Sequence, residues 1–115
     1  RDAVAAQEAY AEARQEEFAG GNTEGIEYMA QAGTAALDGR RPEAVEAFRR
    51  SVSAFEGAGV AFYAALGRLD ALMLLPDEPS FEGWADEARA CFERIGSPAL
   101  LARLEEALTA RTPAA

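Results

Sequence analysis

The candidates for chemistry in this sequence are carboxylates, arginines, a tyrosine, one cysteine and one tryptophan, and the sequence has neither histidine nor lysine. That absence excludes Ser-His-Asp and Cys-His triads, imidazole metal sites, Schiff-base lysines and the phosphate-binding P-loop lysine. Carboxylates are numerous, but the sequence singles out no pair of them as catalytic. We therefore expect a protein that is not an enzyme and that holds neither a cofactor nor a metal.

Arg68 and Asp70 are the only charged residues in the apolar run from Val60 to Leu75. They stand two positions apart, so on a helix they do not face each other and cannot pair directly. One interpretation places Arg68, with Tyr63, in a groove where it anchors a carboxylate or a peptide. The alternative is that each charge forms an ion pair with an adjacent helix, because buried charges usually need partners.

The only local basic cluster in the sequence consists of Arg40, Arg41, Arg49 and Arg50. This cluster suits an acidic segment of a partner, or another domain of the same protein. The alternative is a solvated turn and helix face balanced by Glu43 and Glu46, since exposed ion pairs of this kind contribute little. The residues predicted to bind a partner are therefore Tyr63, Arg68, Arg40 and Arg41.

Three other features are interpreted as structural. A group of acids lacks the glycine turn and ligand order of a calcium loop, so no metal site is predicted there: Asp77, Glu78, Glu82 and Asp86. Cys91 stands beside Phe92 on the apolar side of its helix and has no activating base, which predicts a small core residue. Trp84 is predicted to belong to the core as well, although an exposed Trp84 would suit a binding hot spot.

Composition predicts the fold class. Ala occupies 28 of the 115 positions, and β-branched residues are few, so helix propensity is high nearly throughout. The expected class is all-α. A chain of this length is expected to form one domain, residues 1–115, which buries roughly two thirds of the surface of the unfolded chain.

The charge and the ends of the sequence bear on partners and location. A net charge of −9 would repel phosphate backbones and anionic lipids, so neither nucleic acid nor a membrane is expected as a partner. A single cysteine can form no internal disulfide, which favours a cytoplasmic setting. The chain begins at Arg1 without a signal segment, and we expect it to be a domain of a longer protein.

Two predicted helices lie at the centre of the sequence, from Pro42 to Leu75. In the first, from Pro42 to Glu56, apolar residues recur at steps of three and four and form one stripe: Val45, Phe48, Val52 and Phe55. In the second, from Val60 to Leu75, apolar residues occur nearly all the way round, which is typical of a helix buried on several sides. The two are expected to fold back on each other as a hairpin.

The rest of the chain predicts a leading helix, three further helices and a tail. Their bounds are residues 1–18, with Ala6, Tyr10 and Ala13 on one face; Asn22 or Thr23 to Gly39; Phe81 to Ile95; Ser97 and Pro98 to Arg111; and the tail over residues 111–115. Pro76 and Pro79 cannot continue a helix, so the segment between Leu75 and Ser80 is predicted as a loop.

An internal repeat appears when the sequence is shifted on itself by 34 positions. Six residues of the first copy then align, in order, with six residues of the second copy. They are Gly25, Ile26, Tyr28, Ala30, Gly33 and Pro42, aligned with Gly59, Val60, Phe62, Ala64, Gly67 and Pro76. In this period, and in its aromatic and small positions, the chain resembles the tetratricopeptide-repeat family over residues 24–110. It departs from that pattern at Ala35 and Leu69, where the family usually has an aromatic residue.

The resemblance implies a fold and a class of function. The fold is a right-handed solenoid of about six helices, stacked as antiparallel hairpins, and the function is protein–protein interaction or scaffolding. More narrowly, the segments around residues 39–75 and 88–108 resemble the helical-repeat tails of bacterial LuxR-type regulators and adenylate-cyclase-like signalling proteins. Two alternatives stay open, an effector-sensing domain that binds a small molecule in its inner groove, and a self-association module that forms a homodimer.

Overall fold

The structure is a computed structural model that describes residues 4–6, 8 and 22–111. Residues 4–6 and 8 are helical, and helices α1 to α5 follow in the order Asn22–Leu37, Arg41–Gly57, Ala61–Leu74, Trp84–Ile95 and Pro98–Arg111, with a short 3-10 helix at Pro79–Phe81. No strand occurs in the described residues. The predicted all-α class with about six helices is thus confirmed.

The chain divides into two compact units, residues 1–60 and residues 61–115. Helices α1 and α2 belong to the first unit, and α3, α4 and α5 belong to the second. The two helices of the hairpin predicted over Pro42–Leu75 therefore fall in different units, where α2 packs against α1 and α3 packs against α4. The predicted hairpin, the right-handed solenoid and the single repeat domain stay predictions.

The packing of α1 against α2 depends on small residues that bring the two helices close together. A Cβ atom at Gly25 would lie 2.7 Å from Cδ1 of Phe55, closer than real Cβ atoms approach. Ser51 Oγ donates a buried hydrogen bond of 2.7 Å to the carbonyl oxygen of Gly25. Since the start of α1 meets the end of α2, the two helices run antiparallel. The predicted apolar stripe is the buried side of α2, with Phe48, Val52 and Phe55 buried and Val45 half-buried.

Helix α3 is the central helix of the second unit, because it packs against the 3-10 helix, α4 and α5. Most residues from Ala64 to Leu72 are buried, whereas Phe62 and Met73 are 37% and 43% exposed. The predicted burial on several sides therefore holds for the middle of the helix. The large apolar side chains of this core are those of Leu72, Phe81, Phe92 and Leu104. Cys91 is buried in the same core, as predicted.

Two glycines and one serine mark ends of these helices. Gly39 and Gly59, which follow α1 and α2, have φ angles of 79° and 78°, the left-handed conformation that ends a helix. At the start of α5, Ser97 Oγ accepts a hydrogen bond of 3.2 Å from the Leu100 backbone N–H, which caps the first turn. Local sequence chemistry therefore sets these helix bounds.

One predicted helix start was wrong. The helix predicted from Phe81 begins at Trp84, because Phe81 closes the 3-10 helix that Pro79 opens. Gly83, between them, has a φ of 86°, which a continuous right-handed helix does not contain. Phe81 is nevertheless fully buried and belongs to the core of the second unit.

Most of the predicted leading helix and the whole of residues 112–115 lie outside the residues that the structure describes. The predicted face residues Tyr10 and Ala13 of the leading helix also lie outside the described residues. Within the described ranges, no helix combines the length and the apolar content needed to cross a membrane.

Candidate functional site

Three open clefts lie in the first unit, along the line where α1 and α2 meet. The first has a volume of about 360 Å³ and includes Glu8 beside α1 and α2. The second, also about 360 Å³, and the third, about 230 Å³, are lined by α1 and α2. The residues of α1 that line them are Glu24, Tyr28, Ala30, Gln31, Thr34 and Ala35, and those at the start of α2 and along it are Arg40, Pro42, Glu43, Glu46, Ala47, Arg50, Ser53 and Ala54.

The three clefts form one continuous depression, which we call the α1–α2 groove. Gln31, Glu43 and Ala47 line both the first and the second cleft. Tyr28 and Arg50 line both the second and the third. Along α1 the lining residues extend from 24 to 35, and with a rise of 1.5 Å per residue the groove is roughly 15 Å long.

The middle of the α1–α2 groove is a cluster of Tyr28, Glu46 and Arg50. Nε of Arg50 donates a hydrogen bond of 2.8 Å to Oε2 of Glu46, one turn earlier on α2. Nη1 of Arg50 donates a longer bond of 3.4 Å to the Tyr28 hydroxyl, and its Cζ lies 5.8 Å from the centre of the Tyr28 ring. The hydrogen bond from Arg50 lowers the pKa of Glu46 and raises that of Arg50. The cluster thus fixes a charged pair against an aromatic ring in an open position.

Carboxylates outnumber arginines among the residues that line the groove. Arg40 pairs with Asp38, with Nη2 at 3.5 Å from Oδ2, and Arg50 pairs with Glu46. No ion pair joins the remaining three carboxylates to any described residue: Glu8, Glu24 and Glu43. The groove therefore presents a surplus of negative charge to solvent.

Arg68, the arginine predicted to bind a partner, lies in the packing of α3 against α4. Its side chain is only 9% exposed, and Nη2 lies 2.6 Å from Oε1 of Glu87 on α4. Its Cζ lies 5.8 Å from the centre of the Trp84 ring, which itself stacks on Phe81 with ring centres 4.3 Å apart. This is the ion pair with an adjacent helix that the alternative interpretation expects. A partner-binding role for Arg68 stays a prediction.

The other predicted binding residues are divided between the two units. Arg40 and Arg41 belong to the first unit, where both are exposed, and Arg40 lines the first cleft. Tyr63 belongs to the second unit, where it is half-buried and its ring lies 6.1 Å from that of Phe62. Of the four predicted residues, Arg40 alone is among those that line the α1–α2 groove.

Asp70 is the second charge of α3 and is half-buried. Burial raises its pKa to about 6, and the positive charge of Arg103 on α5 opposes this rise. A carboxyl group with such a pKa is partly protonated at weakly acid pH. The group lies inside the second unit, so its titration bears first on the stability of that unit.

Metal binding and thiol chemistry have no geometric support in the described part of the chain. No three cysteine or acidic side chains there stand close enough to hold a metal ion. Cys91 is buried, with 6% of its surface exposed, and is not part of a disulfide.

Sequence reasoning missed the groove residues Tyr28 and Gln31. The signal was present, because Glu24, Tyr28 and Gln31 recur at steps of four and three and so share one face of α1. On α2, the steps of three and four between Glu43, Glu46 and Arg50 likewise put these three residues on one face. Both faces are polar, however, and such a pattern is also typical of a surface exposed to solvent.

Comparison with known proteins adds no relative. No protein-family model, curated protein or solved structure matches the chain.

Proposed function

We propose that this chain is a non-catalytic protein–protein interaction module, whose α1–α2 groove holds a short segment of a partner protein. The observation that carries the proposal is the continuity of the groove, since neighbouring clefts share lining residues along its length. A groove about 15 Å long accommodates about five residues of extended chain or about ten of a helix.

The residue types in the groove support a protein partner. Tyrosine and arginine are enriched among the residues that dominate binding energy at interfaces, and Tyr28 and Arg50 stand together at its centre. Ala30 and Ala47 keep the floor of the groove low, so a partner backbone or side chain can approach the helices. Gln31, exposed between the first two clefts, offers both a hydrogen-bond donor and an acceptor.

The open form of the groove favours a peptide over a small effector molecule. Small-molecule sites bury most of the ligand surface in a concave, mainly apolar pocket. All three clefts are open to solvent. In the second unit, the buried polar group that could bind a small molecule is the guanidinium of Arg68, and it is already paired with Glu87.

The resemblance to tetratricopeptide repeats and to the tails of bacterial signalling proteins supports the biological setting of the proposal. We place the module in a larger cytoplasmic regulatory protein of a bacterium, where it acts as a scaffold. Its binding then depends on shape and side-chain complementarity and involves no reaction.

The proposal is tested with a library of random twelve-residue peptides displayed on phage and selected against the whole chain. Gln31→Trp fills the groove between the first two clefts without changing charge. Ala90→Trp puts the same side chain on the exposed surface of α4 and is the matched control. We expect the selected peptides to bind Gln31→Trp at least tenfold more weakly than the unchanged chain, and Ala90→Trp equally well.

Two outcomes would contradict the proposal. One is that the library yields no peptide above background. The other is that peptides are selected but lose no affinity in Gln31→Trp, which would put their site elsewhere. Circular dichroism of both variants tests whether the helices are intact, which separates a loss of affinity from unfolding.

A further inference from the structure

We propose that the segment held by the α1–α2 groove is basic, and that it carries at least two lysines or arginines that pair with Glu24 and Glu43. This inference rests on the proposed function, because it names the chemistry of the occupant of the same groove. It begins from the charges that the groove leaves without a counterpart among the described residues.

Each arginine that lines the groove is already held by a neighbouring acid. Arg40 pairs with Asp38 and Arg50 pairs with Glu46, so neither pair carries a net charge. The cluster of arginines in the sequence favoured an acidic segment. Because the two arginines that line the groove are paired with acids of the same chain, they no longer favour an acidic partner. The charges that stay unbalanced in the groove are those of Glu8, Glu24 and Glu43.

The positions of Glu24 and Glu43 set the spacing of the partner's cations. Glu24 lines the third cleft, near the start of α1, and Glu43 lines the first two, near the start of α2. Because the helices are antiparallel, these two carboxylates lie towards opposite ends of the groove, about 15 Å apart by the rise of α1. At roughly 3.3 Å per residue, an extended segment matches them with cations about four or five positions apart.

The charge of the whole chain acts in the same direction. A net charge of −9 attracts a cationic partner and repels an acidic one before contact is made. Between the two cations, the segment would lie over Tyr28 and Gln31, where a small or aromatic residue fits the open centre of the groove.

The charge test uses the peptides selected against the whole chain and a second pair of variants. Glu24→Gln with Glu43→Gln removes the two carboxylates that are proposed to pair with the partner and preserves the shape of their side chains. Glu93→Gln with Glu106→Gln removes two exposed carboxylates of the second unit and is the control matched for charge. Affinities are measured by fluorescence anisotropy at 50 mM and 300 mM salt, because salt screens ion pairs at the surface.

We expect the selected sequences to be enriched in lysine and arginine, with two of them four or five positions apart. Their affinity should fall at least tenfold in the groove variant and at least tenfold between the two salt concentrations. The control variant should bind within about twofold of the unchanged chain. Melting curves of both double variants test whether either change unfolds the chain, and we expect both to stay folded.

The failure of this inference can be distinguished from the failure of the proposed function. Neutral or acidic peptides that lose affinity in Gln31→Trp, but not in the Glu24 and Glu43 double variant, would overturn the basic occupant and leave the groove as a protein-binding site. Basic peptides that bind both double variants equally would overturn the role of these two carboxylates. Peptides unaffected by Gln31→Trp would overturn both proposals.

Discussion

Arg50 in the first unit and Arg68 in the second have nearly the same neighbours. The Cζ atom of each lies 5.8 Å from the centre of an aromatic ring, which belongs to Tyr28 for Arg50 and to Trp84 for Arg68. Each is paired with a glutamate, at 2.8 Å and 2.6 Å respectively. They differ in burial, because the side chain of Arg50 is 57% exposed and that of Arg68 is 9% exposed.

This difference assigns the two arginines to different roles. Arg68 and Trp84 lie within the packing of α3 and α4, so removing that arginine should change stability. Arg50 and Tyr28 lie in an open groove, so removing that arginine should change binding. The same residue types therefore contribute to the core in one unit and to a candidate binding surface in the other, and only their exposure distinguishes them.

The largest expected effect is on the two cores themselves. Phe48→Ala in the first unit and Phe92→Ala in the second should each lower the free energy of unfolding by about 3 to 5 kcal/mol, because both rings are buried and each truncation leaves a cavity. Urea denaturation followed by circular dichroism measures both. Fluorescence of Trp84, the only tryptophan, reports on the second unit. If neither variant were destabilised, the assignment of these rings to the cores would be wrong.

The next effect compares the two arginines directly. Arg68→Ala should lower the free energy of unfolding by about 2 to 3 kcal/mol, because it removes a buried side chain that packs on Trp84 and pairs with Glu87. Arg50→Ala should leave the urea midpoint unchanged, since its side chain is exposed. Equal losses of stability in the two variants would contradict the distinction between the two units.

A pH dependence of stability is expected from Asp70 in the second unit. The pKa of Asp70 is raised to about 6 in the folded chain, so between about pH 4 and pH 6 the folded state holds a proton that the unfolded state releases. The contribution of Asp70 to stability therefore falls as the pH rises through this window. Asp70→Asn should raise the free energy of unfolding relative to the unchanged chain, and this gain should be about 2 kcal/mol larger at pH 7 than at pH 4.

The control for this prediction is Asp77→Asn, which neutralises an exposed aspartate in the same unit. Urea denaturation at pH 4 and pH 7 measures the unchanged chain and both variants. If the difference between Asp70→Asn and the unchanged chain were the same at both pH values, burial would not be raising the pKa of Asp70.

The smallest effect concerns the contact between α1 and α2. Ser51→Ala should lower the free energy of unfolding by about 1 kcal/mol, because it removes the buried hydrogen bond to the carbonyl oxygen of Gly25. Ser53, two positions along α2, is exposed and lines the third cleft, so Ser53→Ala should leave stability unchanged. A greater loss in Ser53→Ala than in Ser51→Ala would show that α2 buries a different face.

The helices could be predicted from the sequence, because local signals determine them. The stripe of Phe48, Val52 and Phe55 and the helix start at Ser97 and Pro98 depend on residues within one or two turns of a helix, and both are confirmed. The 3-10 helix at Pro79–Phe81 was missed because Phe81 fits the apolar spacing of the following helix, although its backbone does not continue into it.

The candidate site could not be predicted in the same way. Tyr28 and Arg50 are 22 positions apart, and their meeting depends on how α1 packs against α2. The sequence favoured a hairpin over Pro42–Leu75 and therefore drew attention to Arg68. Arg68 is an apparent exception on an apolar helix, but its charge has a partner in Glu87, which the sequence alone did not identify.

The most direct test of the account is a map of amide chemical shifts on the nitrogen-15-labelled chain, titrated with the tightest-binding peptide from the phage selection. We predict that the largest shift changes occur in the groove, at Tyr28, Gln31, Glu43 and Arg50, and that the surroundings of Arg68 and Trp84 change little. The largest changes around Arg68 and Trp84, with the groove unaffected, would contradict the assignment of binding to the α1–α2 groove.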